Sequence, residues 1–143
     1  MKHTYNEIQD ILNSECGDRY YRTTNNYNFV VTTAVYAFFT KCDAFWVGDL
    51  VNLCIPKIYN EMVKFDDRFF IVFLKVDEDR GKGKLKIQRE IYDPETEDTH
   101  YHNVEKVSIP FIDLPKGEYK FYLIGQLTEG NKYMFIMLSP SEY

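Results

Sequence analysis

A chain of 143 residues with 45% hydrophobic and 27% charged residues suits one globular domain and requires no metal or disulfide staple. Its formal net charge of −5 argues against generic binding to nucleic-acid phosphate, which depends on clustered Lys and Arg. No apolar run approaches the ~20 residues of a membrane span, and Met1–Glu7 lacks a signal-peptide core, so a cytoplasmic protein without membrane contact is expected.

The twelve Tyr, eleven Phe and one Trp predict an aromatic-rich core against a sheet, with some rings left to face a partner. Cys16, Cys42 and Cys54 are widely spaced in apolar helical contexts, which suits buried free thiols in a reducing compartment.

Thr4 and Glu7 have the spacing of a capping box, in which each side chain reaches the other's backbone N–H. Tyr5, Ile8, Ile11, Leu12 and Cys16 then share one face, so a helix is expected over about 4–16, ended by Gly17. Tyr20–Arg22 reads as a short strand, 23–26 as a turn and Tyr27–Val31 as β-favouring. Thr32 or Thr33 caps a second helix carrying Val35, Tyr36, Phe38 and Phe39 to about Lys41. Asp43 caps a third, through Ile55, with a broad apolar arc of Trp46, Val47, Leu50, Val51, Leu53, Cys54 and Ile55. Trp46 is expected to anchor the core. Gly48 predicts a close backbone approach, and lies with Asp49 and Asn52 on the polar side. Pro56 breaks or kinks the helix and opens a short one holding Ile58, Tyr59, Met62 and Val63.

The period then changes. Phe69–Leu74 is a continuous apolar run, a strand covered on both faces. A polar connection over 77–83 leads to Lys84–Tyr92, which alternates with Leu85, Ile87 and Ile91 on one side. Asp93–Asp98 reads as an acidic loop or hairpin tip. Val104–Ile109, Glu118–Ile124 and Tyr133–Leu138 read as further strands. Ser139–Pro140 should turn the chain out and lay Ser141, Glu142 and Tyr143 back on the domain. The expected fold is α+β: a helical part over about 4–64 packed on a mainly antiparallel sheet of about four to six strands built from the second half, about 68–139. Residues 1–143 form a single domain.

His100 and His102 are two apart, so on a strand they share a face, and Asp98 or Glu97 could add an oxygen ligand. The remaining histidine is His3, which leaves the set short of a metal site. Arg80, Lys82, Lys84 and Lys86 form a basic hairpin able to contact phosphate, without P-loop spacing or a following helix; a flexible tip is the plainer reading. Asp49 and Asn52 on the third helix, and Glu142 and Tyr143 in the closing segment, are candidates for an interaction surface. Cys42 lacks a nearby partner to activate it. HExxH, CxxC, GxSxG and dinucleotide-binding glycine motifs are all missing, so no catalytic residue or cofactor is assigned.

Val31–Tyr36, Ala44–Val51, Gln88–Ile91, Ile109–Pro115 and above all Pro140–Tyr143 resemble a family of small bacterial and phage-borne proteins known as a domain of unknown function. The resemblance spans about residues 31–143, with Ala34 in place of that family's glycine and a longer 93–103 loop. It implies a compact cytoplasmic protein, often encoded on mobile elements, and no activity. The leading expectation is therefore a non-enzymatic interaction or regulatory factor with a protein partner or a second copy of itself. The alternatives are a small metal-dependent or carboxylate hydrolase at His100/His102, and a nucleic-acid binder at Arg80–Lys86.

Overall fold

The computed structural model describes residues 2–13, 19–129 and 132–143. Helices lead and strands follow, giving an α+β fold. Helix α1 spans Tyr5–Asn13, and its capping box forms: the Thr4 N–H donates to Glu7 at 2.9 Å, and the Glu7 N–H to the Thr4 hydroxyl at 3.2 Å. Cys16 and the expected stop at Gly17 lie outside the described residues. Short strands β1 (Tyr20–Tyr21) and β2 (Phe29–Thr32) precede helix α2 (Thr33–Lys41) and helix α3 (Phe45–Phe65). Strands β3 (Phe69–Val76), β4 (Gly83–Asp93), β5 (Asp98–Ile109), β6 (Gly117–Thr128) and β7 (Lys132–Leu138) complete the sheet, and a single 3₁₀ turn covers Pro140–Glu142.

Among the described residues the sheet has seven strands in the order β1-β2-β7-β6-β3-β4-β5, more than the four to six expected. Two of them come from the first half of the chain. Strand β2 pairs with β7 in parallel, Val30 opposite Ile136, and every other pairing is antiparallel. Strand β5 begins at Asp98 rather than Val104, because the 93–98 tip closes a long hairpin in which Arg89 opposes His102. A bulge between Ile87 and Gln88 of β4 lets β5 carry the extra Val104 into the core.

Helices cover one face of the sheet. Ile8, Ile11 and Leu12 of α1, Val35, Phe38 and Phe39 of α2, and Val47, Val51, Cys54, Ile55, Ile58 and Met62 of α3 are buried against Phe70, Val72, Leu74, Leu85, Ile87, Phe121, Leu123, Phe135 and Met137. The core is aromatic at its centre. Phe38 lies 5.6 Å from Phe121 and 6.2 Å from Tyr119, whose buried hydroxyl donates to the Pro115 carbonyl at 2.8 Å.

Helix α3 corrects several expectations. It runs unbroken through Pro56, so no separate short helix forms. Pro56 itself is exposed, and the tertiary packing on both sides of it outweighs the ~3 kcal/mol penalty of an internal proline. With a single phase along the helix, its buried residues form one stripe that includes Gly48. An added Cβ at Gly48 would lie 2.8 Å from the Phe39 ring, which is the close approach expected of it. Leu53 falls on the opposite side and is 75% exposed, while Trp46 sits half-buried at the rim rather than in the core. Asp43 does not cap the helix; Ala44 does, and Asp43 takes φ 51° in the tight turn where the Ala44 N–H meets the Phe39 carbonyl.

Candidate functional site

Among the described residues, no helical layer covers the second face of the sheet. Alternation places Phe69, Ile71, Phe73 and Lys75 of β3 on it, with Lys84, Lys86, Gln88 and Glu90 of β4, Lys106 and Ser108 of β5, and Glu118, Lys120, Tyr122 and Ile124 of β6. Towards β7 and β2 this face is apolar: Val30, Ile136 and Leu138 pack with Tyr122, Ile124 and Met134. Towards β5 it is basic. The register sets Lys106 beside Lys86, Lys86 beside Phe73, and Phe73 beside Lys120; one step along, Lys84 stands beside Lys75 and Lys75 beside Glu118.

Like charges directly opposite one another on a sheet are destabilising. Two such pairs, Lys86/Lys106 and Lys75/Lys84, nevertheless stand here. Among the described residues, the five lysines make no ion pair; the pairs that do form involve Lys2, Lys57, Lys82, Arg80, Arg89 and two histidines. Rings border the basic row. Phe69, Tyr122 and Tyr143 form a trio with centroids 4.9–5.4 Å apart. The Lys120 ammonium sits 5.3 Å from the Tyr122 centroid and 6.0 Å from that of Phe73, bridging the trio to the row. Phe73 floors a shallow depression walled by Lys75, Lys86, Gln88 and Glu118.

The basic hairpin does not act as one cluster. Lys84 and Lys86 reach the open face. Arg80 turns away: its guanidinium donates to the His3 carbonyl at 3.1 Å and to the Asp113 carbonyl and carboxylate at 3.2 and 3.3 Å. Lys82 pairs with Glu78 at 3.8 Å. The tip is also tied down, because the Arg80 N–H donates to the Leu114 carbonyl and the Ile112 N–H to the Gly81 carbonyl. The flexible tip expected from its glycines is therefore a pinned one. Beside it, the ammonium of Lys2 and then the Arg80 guanidinium hold the Asp113 carboxyl below the usual carboxylate range.

His100 and His102 share the helix-side face of β5, opposite Ile91 and Arg89, and both are exposed. His102 lies 3.8 Å from Glu61. Among the described residues no group of three or more His, Cys, Asp or Glu side chains is placed to hold a metal, Asp98 included. The neighbouring Arg89 was not foreseen as an individual. It is 8% exposed, lies over the Phe65 ring at 3.9 Å, and approaches Glu61 at 3.9 Å and Asp67 at 3.8 Å. Its Nε and the facing Glu61 Oε2 are buried without a hydrogen-bond partner, so this loose buried ion pair joins the end of α3 to β4.

The four surface candidates separate. Asp49 is exposed on α3. Asn52 is engaged, its Oδ1 accepting from Asn26 at 2.9 Å. Glu142 is also engaged: it accepts from the Thr32 hydroxyl, from the Ala34 N–H at 3.3 Å and from the Ser139 N–H at 3.0 Å. Thr32 therefore does not cap α2 with its own side chain; the Glu142 carboxylate does, from 108 residues away. The Ser139 and Ser141 hydroxyls donate to the Leu12 carbonyl at 2.6 and 2.8 Å, closing the end of α1. Tyr143 remains on the open face, as one ring of the trio. Cys42 and Cys54 are free thiols; burial pushes Cys42 up to about 11 and raises Cys54 as well.

These features define a two-layer α+β protein with one sheet face sealed by helices and the other open, half apolar and half basic. Residues 6–143 match the model of a family of unknown function, DUF6876, and the chain belongs to that family. No curated protein and no solved structure matches it. No helix of the described residues is long and apolar enough to cross a membrane.

Proposed function

We propose that this is a non-enzymatic binding protein that holds a polyanionic partner against the open face of its sheet. One observation carries the reading: an acidic chain gathers Lys75, Lys84, Lys86, Lys106 and Lys120 on one face, where they make no ion pair among the described residues. Charges so arranged repel one another, and an anionic partner removes that cost. A net charge of −5 describes the sum over all faces, whereas binding responds to the local field. The free thiols of Cys42 and Cys54 support a reducing, cytoplasmic setting.

Long-chain inorganic polyphosphate at low salt is the test. It should bind the native protein and lose at least ~10-fold in affinity with Lys86→Glu plus Lys106→Glu, since each lost phosphate contact releases fewer counterions. Lys41→Glu plus Lys64→Glu, on the helical layer, changes the net charge equally and should leave binding within ~2-fold. Equal losses in both double variants would remove the face from the argument.

A further inference from the structure

From the open face we infer a ligand class: single-stranded nucleic acid, its phosphates along the lysine row and its bases stacked on Phe73 and Tyr122. The inference rests on the polyanion reading and adds to it the role of the rings. An anion-binding surface needs only charge. This one interleaves charge with aromatic planes, Lys106, Lys86, Phe73 and Lys120 following one another across four adjacent strands, about 14 Å end to end at the usual strand spacing. Tyr122 is the next residue of this face along β6, beside the row, with the Lys120 ammonium 6.0 Å from the Phe73 centroid and 5.3 Å from that of Tyr122. Unpaired bases present faces that stack on such rings irrespective of sequence, while the backbone follows the positive groups.

A duplex fits less well. Its bases are already stacked, and the projecting element able to enter a groove, the β4–β5 hairpin, ends in Asp93, Glu95, Glu97 and Asp98, which phosphate would repel. An acidic peptide would satisfy the lysines but leaves Phe73, at the floor of its depression, without a planar partner. Gln88 and Asn103, joined at 2.7 Å beside the row, offer amide groups to base edges. Glu118 and Glu90 are the two carboxylates that the described strands place on this face. Glu118 flanks Lys120 on β6 and walls the Phe73 depression beside Lys75, and Glu90 stands beside Tyr101 near the hairpin tip, so phosphates are directed along the side of the Lys106–Lys86–Lys120 row away from Glu118.

The experiment measures binding of the full chain to a fluorescent 12-nucleotide single strand of mixed sequence, the matching 12-base-pair duplex, inorganic polyphosphate and poly-glutamate. With about four phosphate contacts the single-strand affinity should fall roughly 50-fold between 50 and 200 mM salt. Phe73→Leu and Tyr122→Leu should each weaken the single strand by about 5-fold or more and leave polyphosphate unchanged. Thermal melts of both variants establish that they fold; should Phe73→Leu not fold, Tyr122→Leu carries the comparison. If the single strand and polyphosphate bind alike and neither ring substitution matters, the nucleic-acid assignment is overturned while the polyanion reading stands. Binding to neither probe overturns both. Tighter binding of the duplex, or of poly-glutamate, than of the single strand also overturns the assignment.

Discussion

The carboxylate of Glu142 accepts a hydrogen bond from the backbone N–H of Ala34, so the first turn of α2 is capped by a residue 108 positions further along the chain. The cap is built into a second one, because the same side chain also accepts from Ser139 at the head of its own 3₁₀ turn. A helix N-terminus stabilises an anion both through its free N–H groups and through its dipole. Glu142→Ala should therefore cost about 1–2 kcal/mol in urea unfolding, and Glu142→Gln part of that, since the amide keeps an acceptor and loses the charge. An unchanged midpoint in both variants would mean the cap contributes nothing.

Phe38 and Trp46 should exchange the ranks that sequence gives them. Phe38 is fully buried between Tyr119 and Phe121, so Phe38→Ala should cost about 3–5 kcal/mol. Trp46 is only partly buried and borders a shallow surface depression with Phe111 and Asp113, so Trp46→Ala should cost clearly less. Parallel denaturant melts decide the order, and a larger loss at Trp46 would contradict the packing described.

Arg89, itself nearly buried, lies between the partly exposed carboxylates of Glu61 and Asp67 and stacks on Phe65. Arg89→Ala would remove the cation from both carboxylates and the cover from Phe65, and should cost about 1–3 kcal/mol. Adding Glu61→Gln should recover part of that loss, because the stranded charge is then absent. Strictly additive losses in the double-mutant cycle would show that the two side chains are not coupled.

Cys42 should alkylate slowly at neutral pH. Its thiol is raised to about 11 by burial, against an ordinary value of 9.0, so little thiolate is present until the solution is strongly alkaline. The folded pKa lies above the unfolded one. The folded state thus holds its proton longer, and stability falls as pH rises from about 9 towards 11. Iodoacetamide rates mapped to the Cys42 peptide should climb across that interval, and Cys42→Ala should flatten the corresponding slope of stability with pH. Fast alkylation at pH 7 would show that the thiol is open to solvent.

Local features of this fold were legible in the sequence. The Thr4/Glu7 box, the alternation of Lys84–Tyr92 and the acidic tip at 93–98 each depend on residues a few positions apart, and each appears where it was expected. The docking of the closing segment and the interior pairing of β7 also followed from local composition. Helix α3 was misread where a local signal, Pro56, met packing that only the tertiary structure supplies. The open face was less legible still. Lys75, Lys84, Lys86, Lys106 and Lys120 belong to four strands and become neighbours only through register. In sequence two of them looked like part of a hairpin cluster with Arg80, which the fold instead ties to Asp113 and His3.

The parallel pairing of β2 with β7 sets an order of events. Strand β2 has just two neighbours in the sheet, the two-residue β1 and β7, and β7 begins about a hundred positions later. While a ribosome releases the chain in sequence, β3, β4 and β5 can pair as successive hairpins and β6 can return to the free edge of β3, but β2 has no lasting partner until β7 emerges. The same delay applies to the end of α1 and the start of α2, whose free carbonyl and N–H groups wait for Ser139, Ser141 and Glu142. The first-synthesised helices are thus among the last parts to be locked, and for most of synthesis their Phe38 and Phe39 must be kept from other chains.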